Sequence, residues 1–361
     1  MGALRRLFSK KLRDIIKEKQ NKQIKNQVVN AHHDVSKFAE SNVADMRKYG
    51  FSFSESGVFN LKENDYREYI STYEAYKPRL KSSPYVMISD DKYLFSLVYG
   101  KYIDTPKAYA LIQDGIVVDL SGKKLDNSNL YDFLLANNGM VIKDRSGCDG
   151  FGVYVFNVNG DKITYKNQVI NRNELENIIK KFKNGLVQSK VEQGDFENSI
   201  YSGSVNTIRV ISMRKKNSYE HEVVAALQRI GTKKSMPVDN FNQGGGSALI
   251  DIETGEIGSM TCLDSYDDSG KRVFYDIHPD SGSKINGLLI PNWDSIKQTI
   301  IDVTRVLPFF EYIAWDIVLK NDGIAVIETN MKSSLNVFQV HGGMRNSFLG
   351  QKYREKGYLE Y

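Results

Sequence analysis

The stretch from Trp315 to Asn330 (Trp-Asp-Ile-Val-Leu-Lys-Asn-Asp-Gly-Ile-Ala-Val-Ile-Glu-Thr-Asn) constrains this chain more than any other. Two apolar runs flank Asn321-Asp322-Gly323, which suits a three-residue hairpin loop whose glycine takes the left-handed conformation. In that register Lys320 faces Ile324 and Asp316 faces Glu328. Asn330 lies two residues beyond Glu328, hence on the same side of its strand. Apolar residues on both faces predict that the hairpin is buried within a sheet. Two carboxylates and an amide then share one apolar face, where the like charges repel unless a cation lies between them. All-oxygen donors suit Mg²⁺ or Mn²⁺, which keep open positions for phosphate oxygens. The competing reading is a surface hairpin with incidental acids.

Gly139-Met140-Val141-Ile142 reads as a strand ending at Lys143. Gly147, Gly150 and Gly152 follow in a loop, and Val153-Tyr154-Val155-Phe156 resumes as a strand. Glycines let backbone N–H groups approach phosphate oxygens with no Cβ in the way. The loop joins strand to strand, whereas a P-loop or a dinucleotide fingerprint opens a helix. A strand lysine beside such a loop can neutralise nucleotide phosphates as a point charge; the alternative is a Gly-rich hairpin with an ordinary lysine.

Arg209 is the one charge in Val205-Asn206-Thr207-Ile208-Arg209-Val210-Ile211. A charge buried in a sheet needs a partner. A transferred phosphoryl group suits the guanidinium fork, and a structural ion pair would serve as well. The polar loop from Val238 to Ser247 holds Asp239, Asn240, Asn242, Gly244, Gly245 and Gly246. Its glycine amides are candidates for holding a substrate carboxylate or a developing oxyanion, unless the loop is only a flexible lead into a hairpin. His278, in His278-Pro279-Asp280-Ser281-Gly282, is a candidate border of the acceptor site. Trp293, Trp315 and the tyrosines read as packing.

Composition narrows the class. With 361 residues the chain needs two or three lobes. Hydrophobic content of 41% and charged content of 26% are those of a soluble globular protein. No run approaches the roughly 20 apolar residues that span a bilayer, and no secretory h-region follows the N-terminus. Cys148 and Cys262 form neither a disulfide framework nor a CxxC zinc site. The expectation is a cytoplasmic protein. Of the net charge of +5, the segment through Lys25 supplies +7, so the remainder carries −2 and does not suit a nucleic-acid partner. Leu4, Phe8, Leu12, Ile15 and Ile16 recur at helical spacing among those basic residues. They predict an amphipathic helix, lying on the anionic inner face of a membrane, on an assembly partner, or on its own protein.

Along the chain, residues 1 to about 85 read as helical and polar, and Asp91-Lys92 opens a further helix. Short strands follow at 108–113, 115–119, 140–143, 153–158 and 162–166, then an amphipathic helix at 173–183 and a strand at 185–191. A second strand-rich region runs from Val205 to Asn330, with a helix near Trp293–Leu307. Taken in order, these parts resemble the ATP-grasp superfamily. The features are Asp91-Lys92, Lys143 before the Gly-rich strand–loop–strand, a linker strand at 186–191, Arg209, then Asp316, Glu328 and Asn330. The finer resemblance is to the sugar-transfer-associated, TupA-like branch found with bacterial surface-polysaccharide genes. It is carried by Val205-Asn206-Thr207-Ile208-Arg209-Val210, by Val238-Asp239-Asn240-Phe241 with Gly244-Gly245-Gly246, by the His278 turn, by Ile290-Pro291-Asn292-Trp293 and by Glu328-Thr329-Asn330. It covers about residues 85 to 340.

The resemblance implies an α+β, ATP-grasp fold in which two α/β lobes sandwich ATP, after a helical extension over residues 1–85. Residues 86–191 would form the smaller nucleotide lobe, and 192–361 the lobe with the metal and substrate site. Gln188, Ser189 and Val191 would border the adenine, with the backbone reading the base. Lys92 and Lys143 would hold phosphates under the Gly147, Gly150 and Gly152 loop, and Asp316, Glu328 and Asn330 would hold two Mg²⁺. Two positions depart from the pattern: Lys143-Asp144 where Lys-Pro is frequent, and Gln188 where Glu is frequent. The implied activity is ligation of a carboxylate to an amine through an acylphosphate, with Arg209 and Lys143 assisting phosphoryl transfer. A sugar acid and an amino compound are the implied substrates. The rival expectations are a kinase on the same scaffold and a non-catalytic nucleotide-binding scaffold at the membrane.

Overall fold

The computed structural model describes residues 18–30, 44–82, 85–147, 152–331 and 334–360. The amphipathic segment from Leu4 to Ile16, Cys148 and Gly150 lie outside the described residues. The chain groups into two compact units, residues 1–80 with 332–361, and residues 81–331.

The first unit is helical where described, with helices at 18–29, Phe53–Val58, Asn336–Gln339 and Phe348–Glu355. Polar contacts join its distant segments. Arg345 donates through both terminal nitrogens to buried Glu74, at 3.0 and 3.1 Å. Gln339 accepts from the Ile70 N–H at 2.7 Å and donates to its carbonyl at 2.8 Å. Both groups of that backbone unit are thus satisfied without water.

The second unit contains two sheets in which every strand pairing is antiparallel. The first comprises β1 (Ala108–Gln113), β2 (Ile116–Asp119), β3 (Lys124–Leu125), β4 (Val141–Asp144), β5 (Tyr154–Asn159), β6 (Lys162–Tyr165), β7 (Gln168–Ile170) and β8 (Asn184–Gln188). Their order is β3-β2-β1-β8-β4-β5-β6-β7, so β8 returns to the centre, beside β4. The helices Asn127–Ala136 and Arg172–Ile179 lay Leu130, Leu134, Leu175 and Ile179 against Ile142, Phe156 and Val187 in one core. The Arg172–Ile179 helix starts at a capping box, Asn171 with Glu174.

The second sheet comprises β9 (Thr207–Arg214), β10 (His221–Ile230), β11 (Gly246–Ile250), β12 (Glu256–Ile257), β13 (Thr261–Cys262), β14 (Leu288–Leu289), β15 (Tyr312–Lys320) and β16 (Gly323–Asn330). The order is β14-β12-β11-β10-β9-β15-β16, with β13 beside β11. β15 lies between β9 and the edge strand β16 and is buried at every position except Lys320, as expected for a strand covered on both faces. Trp293, Ile296, Ile300 and Val303 recur at helical spacing on the Trp293–Thr304 helix and enter the core of this sheet. The Lys92–Tyr99 helix contributes Phe95 and Tyr99, and Tyr99 meets Trp315 edge to face with centroids 5.6 Å apart.

The β15–β16 hairpin differs from the expected loop. Lys320 pairs with Gly323, so the turn has two residues, Asn321 and Asp322. The Asn321 side-chain oxygen is held by the Asp195 N–H at 2.7 Å, and Lys320 pairs with Asp322 at 3.2 Å, contacts that fix the tighter turn. The register then shifts between Asp316 and Ile317: Ile317 pairs with Val326, and Asp316 with Glu328, leaving Ile327 as a bulge residue. The shorter turn and the bulge offset each other, and the two carboxylates face each other as the sequence predicts.

Gly139 leads the chain into β4 at φ +83°, and a Cβ there would lie 2.1 Å from the Phe156 carbonyl oxygen. That carbonyl accepts the Met140 N–H that aligns β4 with β5. Gly139→Ala is therefore expected to lower stability by about 2 kcal/mol or more, the combined cost of a left-handed non-glycine residue and a backbone clash. Urea unfolding of the two proteins checks this, and an unchanged midpoint would contradict the argument.

Candidate active site

Arg209 and Asp316 are cross-strand partners on β9 and β15, as Asp316 and Glu328 are on β15 and β16. Three adjacent strands thus bring one guanidinium and two carboxylates to one place. Arg209 grips Asp316 through Nε and Nη2, the latter at 2.7 Å. Arg229, at the end of β10, donates to the same carboxylate at 3.0 Å and to Asp239 at 3.0 Å. The Thr207 hydroxyl donates to the other oxygen of Asp239 at 2.5 Å. On β16 the Asn330 amide donates to Glu328 at 3.2 Å.

The first sheet and the Lys92–Tyr99 helix supply the opposing cations. The Lys92 ammonium lies 3.3 Å from Glu328 and donates to the Gly147 carbonyl at 2.6 Å. Lys92 is the first residue of its helix, where the macrodipole disfavours a cation; Glu328 and the carbonyl compensate. Lys143 is buried on β4, and its charge acts on that of Lys92, Glu328 and Asp316. Burial, reinforced by Lys92, outweighs the two carboxylates and pushes the Lys143 pKa down to about 8. For Glu328 burial works upward, but Lys92 and Lys143 overcome it and hold the carboxyl well below the usual range. For Arg209 burial works downward, and the Asp316 carboxylate outweighs it and keeps the guanidinium charged.

The assembled side chains are Lys92, Lys143, Arg209 and Arg229 against Asp239, Asp316 and Glu328, one cation in excess. Asp316, Glu328 and Asn330 are oxygen donors on facing strands, which fits a hard divalent cation. Among the described residues no group of three or more His, Cys, Asp or Glu could hold a metal ion. With two carboxylates and an amide, and with the Asp316 oxygens bonded to Arg209 and Arg229, this set would hold an ion only together with further ligands such as phosphate oxygens and water.

Residues 71–348 match the family described as sugar-transfer associated ATP-grasp. The chain belongs to that family. Its α+β architecture is the ATP-grasp fold. The solved structures that it is similar to include the ATP-grasp ligase PsnB complexed with minimal precursor, at 12% identity and a TM-score of 0.38 over 77% of this chain and 63% of that one. D-alanyl-alanine synthetase A from Vibrio cholerae O1 matches at 12% identity and a TM-score of 0.42 over 76% of this chain and 66% of that one. The ADP complex of purK, N5-carboxyaminoimidazole ribonucleotide synthetase, matches at 14% identity and a TM-score of 0.39 over 74% and 51%. The chain thus spans between 51% and 66% of the length of these three structures. No curated protein matches the sequence.

Within this ATP-grasp chain the other sequence candidates fall in several places. Gln188 ends β8, buried between Ala108 and Val141. The Ser189 N–H donates to the Lys107 carbonyl at 2.8 Å, and its hydroxyl accepts from the Lys107 N–H at 2.9 Å, so that amide donor is already used. Val191 is half-buried, and Gly152 has φ +70°, with no described residue within 4 Å of where its Cβ would lie. Asp239 lies within the ion-pair network, but the loop that follows is not the open anion cradle suggested by its glycines. The Asn240 side chain caps the short turn Phe241–Gln243 by accepting from the Asn242 N–H at 2.8 Å. The Gly244 N–H bonds the Phe241 carbonyl at 3.2 Å, and the Gly245 N–H bonds the Asn240 carbonyl at 2.9 Å. Gly246 already belongs to β11, opposite Ile230. A Cβ on Gly245 would sit 2.3 Å from the Asp239 carbonyl oxygen, so this glycine serves close packing.

His278 is likewise committed. Its Nδ1 accepts the Asp280 and Ser281 N–H groups at 3.1 and 3.2 Å, so Nε2 carries the proton and donates to the Gly231 carbonyl at 2.8 Å. The ring stacks on Tyr201 at 4.8 Å, and burial lowers its pKa. It pins two loops and has neither a lone pair nor a proton left for a ligand. Sequence reasoning missed Arg229, although it is the single charge in Val223–Ile230, the same signal that marks Arg209.

Because Lys143 is depressed in the fold, the unfolded chain binds the extra proton between about pH 8 and about 10.4. Wild-type stability therefore gains from this group as pH rises through that window. Lys143→Met is expected to stabilise the ligand-free protein at pH 7 and to lose the advantage by about pH 10. Urea titrations at both pH values check the sign; a gap that widens with pH would refute it.

Proposed function

We propose that this protein is an ATP-dependent carboxylate–amine ligase that works through an acylphosphate. The observation that carries the proposal is the convergence of Lys92, Lys143, Arg209 and Arg229 on Asp316, Glu328 and Asn330. A triphosphate tail with its metal matches this charge set: cations for the phosphate oxygens, carboxylates for the ion. Bound Mg²⁺, as two ions held by Asp316, Glu328 and Asn330, would supply charge neutralisation to the phosphates.

In the proposed reaction a substrate carboxylate oxygen bonds to the γ-phosphorus as the bond to the β–γ bridging oxygen breaks, and ADP leaves with the electron pair. Lys92 and Lys143 hold phosphate oxygens, while Arg209 and Arg229 donate N–H groups to the transferring phosphoryl group. An amine then bonds to the acyl carbon, phosphate departs with the electrons of the broken C–O bond, and the surplus amine proton passes to solvent. The cationic side chains are assigned to the tetrahedral oxyanion, since the Gly244 and Gly245 amides are bonded within their own turn. The family's association with sugar transfer supports a sugar acid of a bacterial surface polysaccharide as the carboxylate. Basic residues through Lys25 support a place at the inner face of the cell membrane or in an assembly complex. Among the described residues no helix is long and apolar enough to cross a membrane.

An ADP-release screen of sugar acids crossed with amines tests the reaction: release is expected only when acid and amine are both present. Release with acid alone would leave a kinase, and release indifferent to the acid would discard the proposal. Lys143→Ala is expected to raise the dissociation constant for MgATP by roughly tenfold or more, the loss of one charge-assisted contact. Wild-type affinity should fall as pH rises past about 8, where free Lys143 loses its proton, whereas the variant should show no such step.

A further inference from the structure

Arg145 lies just beyond β4, on the stem of the glycine loop, and reaches across to the Lys92–Tyr99 helix. Its Nη2 donates to Asp91 at 2.5 Å and its Nε at 3.3 Å. Asp91 is the N-cap of that helix and also accepts from the Tyr93 and Leu94 N–H groups at 2.9 and 3.1 Å. The Arg145 backbone is tied on both sides: its N–H donates to the Asn184 carbonyl and its carbonyl accepts the Lys92 N–H, each at 3.0 Å. The guanidinium lies over the Tyr93 ring, 5.7 Å from its centroid. The helix is anchored in the core of the second sheet through Phe95 and Tyr99, while β4 belongs to the first sheet. The Asp91–Arg145 pair therefore fastens one sheet's loop stem to a helix packed on the other sheet. Lys92 follows Asp91 directly, and Lys143 precedes Arg145 by two residues.

We propose that Arg145 and Asp91 form a positioning clamp that sets Lys92 and Lys143 side by side for one anionic ligand. The pair is buried enough to matter: Asp91 is 10% exposed and Arg145 21% at their side chains, unlike the exposed pairs that contribute little. Its form also suits the task. Arg145 engages both oxygens of Asp91, which fixes orientation as well as distance. The clamp deepens the nucleotide reading above and rests on it for the identity of the ligand.

Asp91→Asn separates the clamp from the cap, because asparagine caps a helix as well as aspartate does. Asp91→Asn and Arg145→Ala are each expected to raise the MgATP dissociation constant roughly tenfold. The double variant should be no worse than either single one, and Arg145→Lys should recover part of the loss. Amide exchange in the ligand-free protein gives an independent readout: the Lys92 N–H, bonded to the Arg145 carbonyl, should exchange faster in both single variants by more than their change in global stability accounts for. Unchanged affinity in both variants, fully additive losses, or unaltered Lys92 exchange would overturn the clamp. Loss of binding in Lys143→Ala with normal binding in Arg145→Ala would sink the clamp and leave the nucleotide site standing. Failure of the wild type to bind MgATP would sink the nucleotide site, and Lys92 exchange would then decide the clamp by itself.

Discussion

Asp316 and Glu328 face each other inside a sheet, and the arrangement of the surrounding charges follows from that juxtaposition. Two unit charges about 4 Å apart repel by roughly 4 kcal/mol at an effective dielectric of 20. The protein meets the cost with cations drawn from different elements. Arg209 and Arg229 come from strands of the same sheet, Lys92 from a helix and Lys143 from the other sheet. Buried ion pairs of this kind seldom add stability over a well-packed apolar core. An assembly of seven charged side chains in one region is therefore better understood as a site than as a structural brace.

The topology explains how such distant residues meet. Arg209, Asp316 and Glu328 need only the register of three adjacent strands, since cross-strand partners place their side chains on one face. Lys143 and Lys92 belong to no part of that register. They reach the same region because β4 lies beside the central β8 and because the Lys92–Tyr99 helix packs on the second sheet while bonding the glycine-loop stem. One half of the site is thus built by strand pairing and the other by contacts between layers, the more deformable kind.

That division also decides what could be read from the residues alone. Strand-borne features were legible: the facing of Asp316 and Glu328, the lone charge at Arg209, Lys143 at the end of a strand leading into glycines. Period-two alternation and a single misplaced charge carry local information that survives into the fold. The turn of the β15–β16 hairpin was misjudged by one residue, and the bulge at Ile327 corrected it, because a bulge depends on neighbours that no local pattern records. β3, β7 and the Asn127–Ala136 helix went unread, the strands because they are so short. The glycines at 244–246 and His278 misled for a related reason. Glycine signals freedom or close packing with equal force, and only the bonds of Gly244, Gly245 and His278 show that their donors and acceptors are already spent.

The electrostatics of the ligand-free site do not balance. Lys92 opposes the dipole of its own helix, burial weakens the hold of Lys143 on its proton, and the named cations near neutral pH outnumber the carboxylates by one. A sheet built only for stability would replace such residues with apolar ones of similar size. Each of these local conflicts has the same sign, an excess of positive potential directed at one volume, and each is relieved by an anion placed there. Under the proposed function, surplus cations and carboxylates in the same site would be matched by a ligand that is itself an anion carrying a metal. On that proposal the conflicts that raise the free energy of the empty fold would also supply its selectivity: a neutral ligand would leave them unrelieved, and a bare metal ion would meet the two arginines already bound to Asp316.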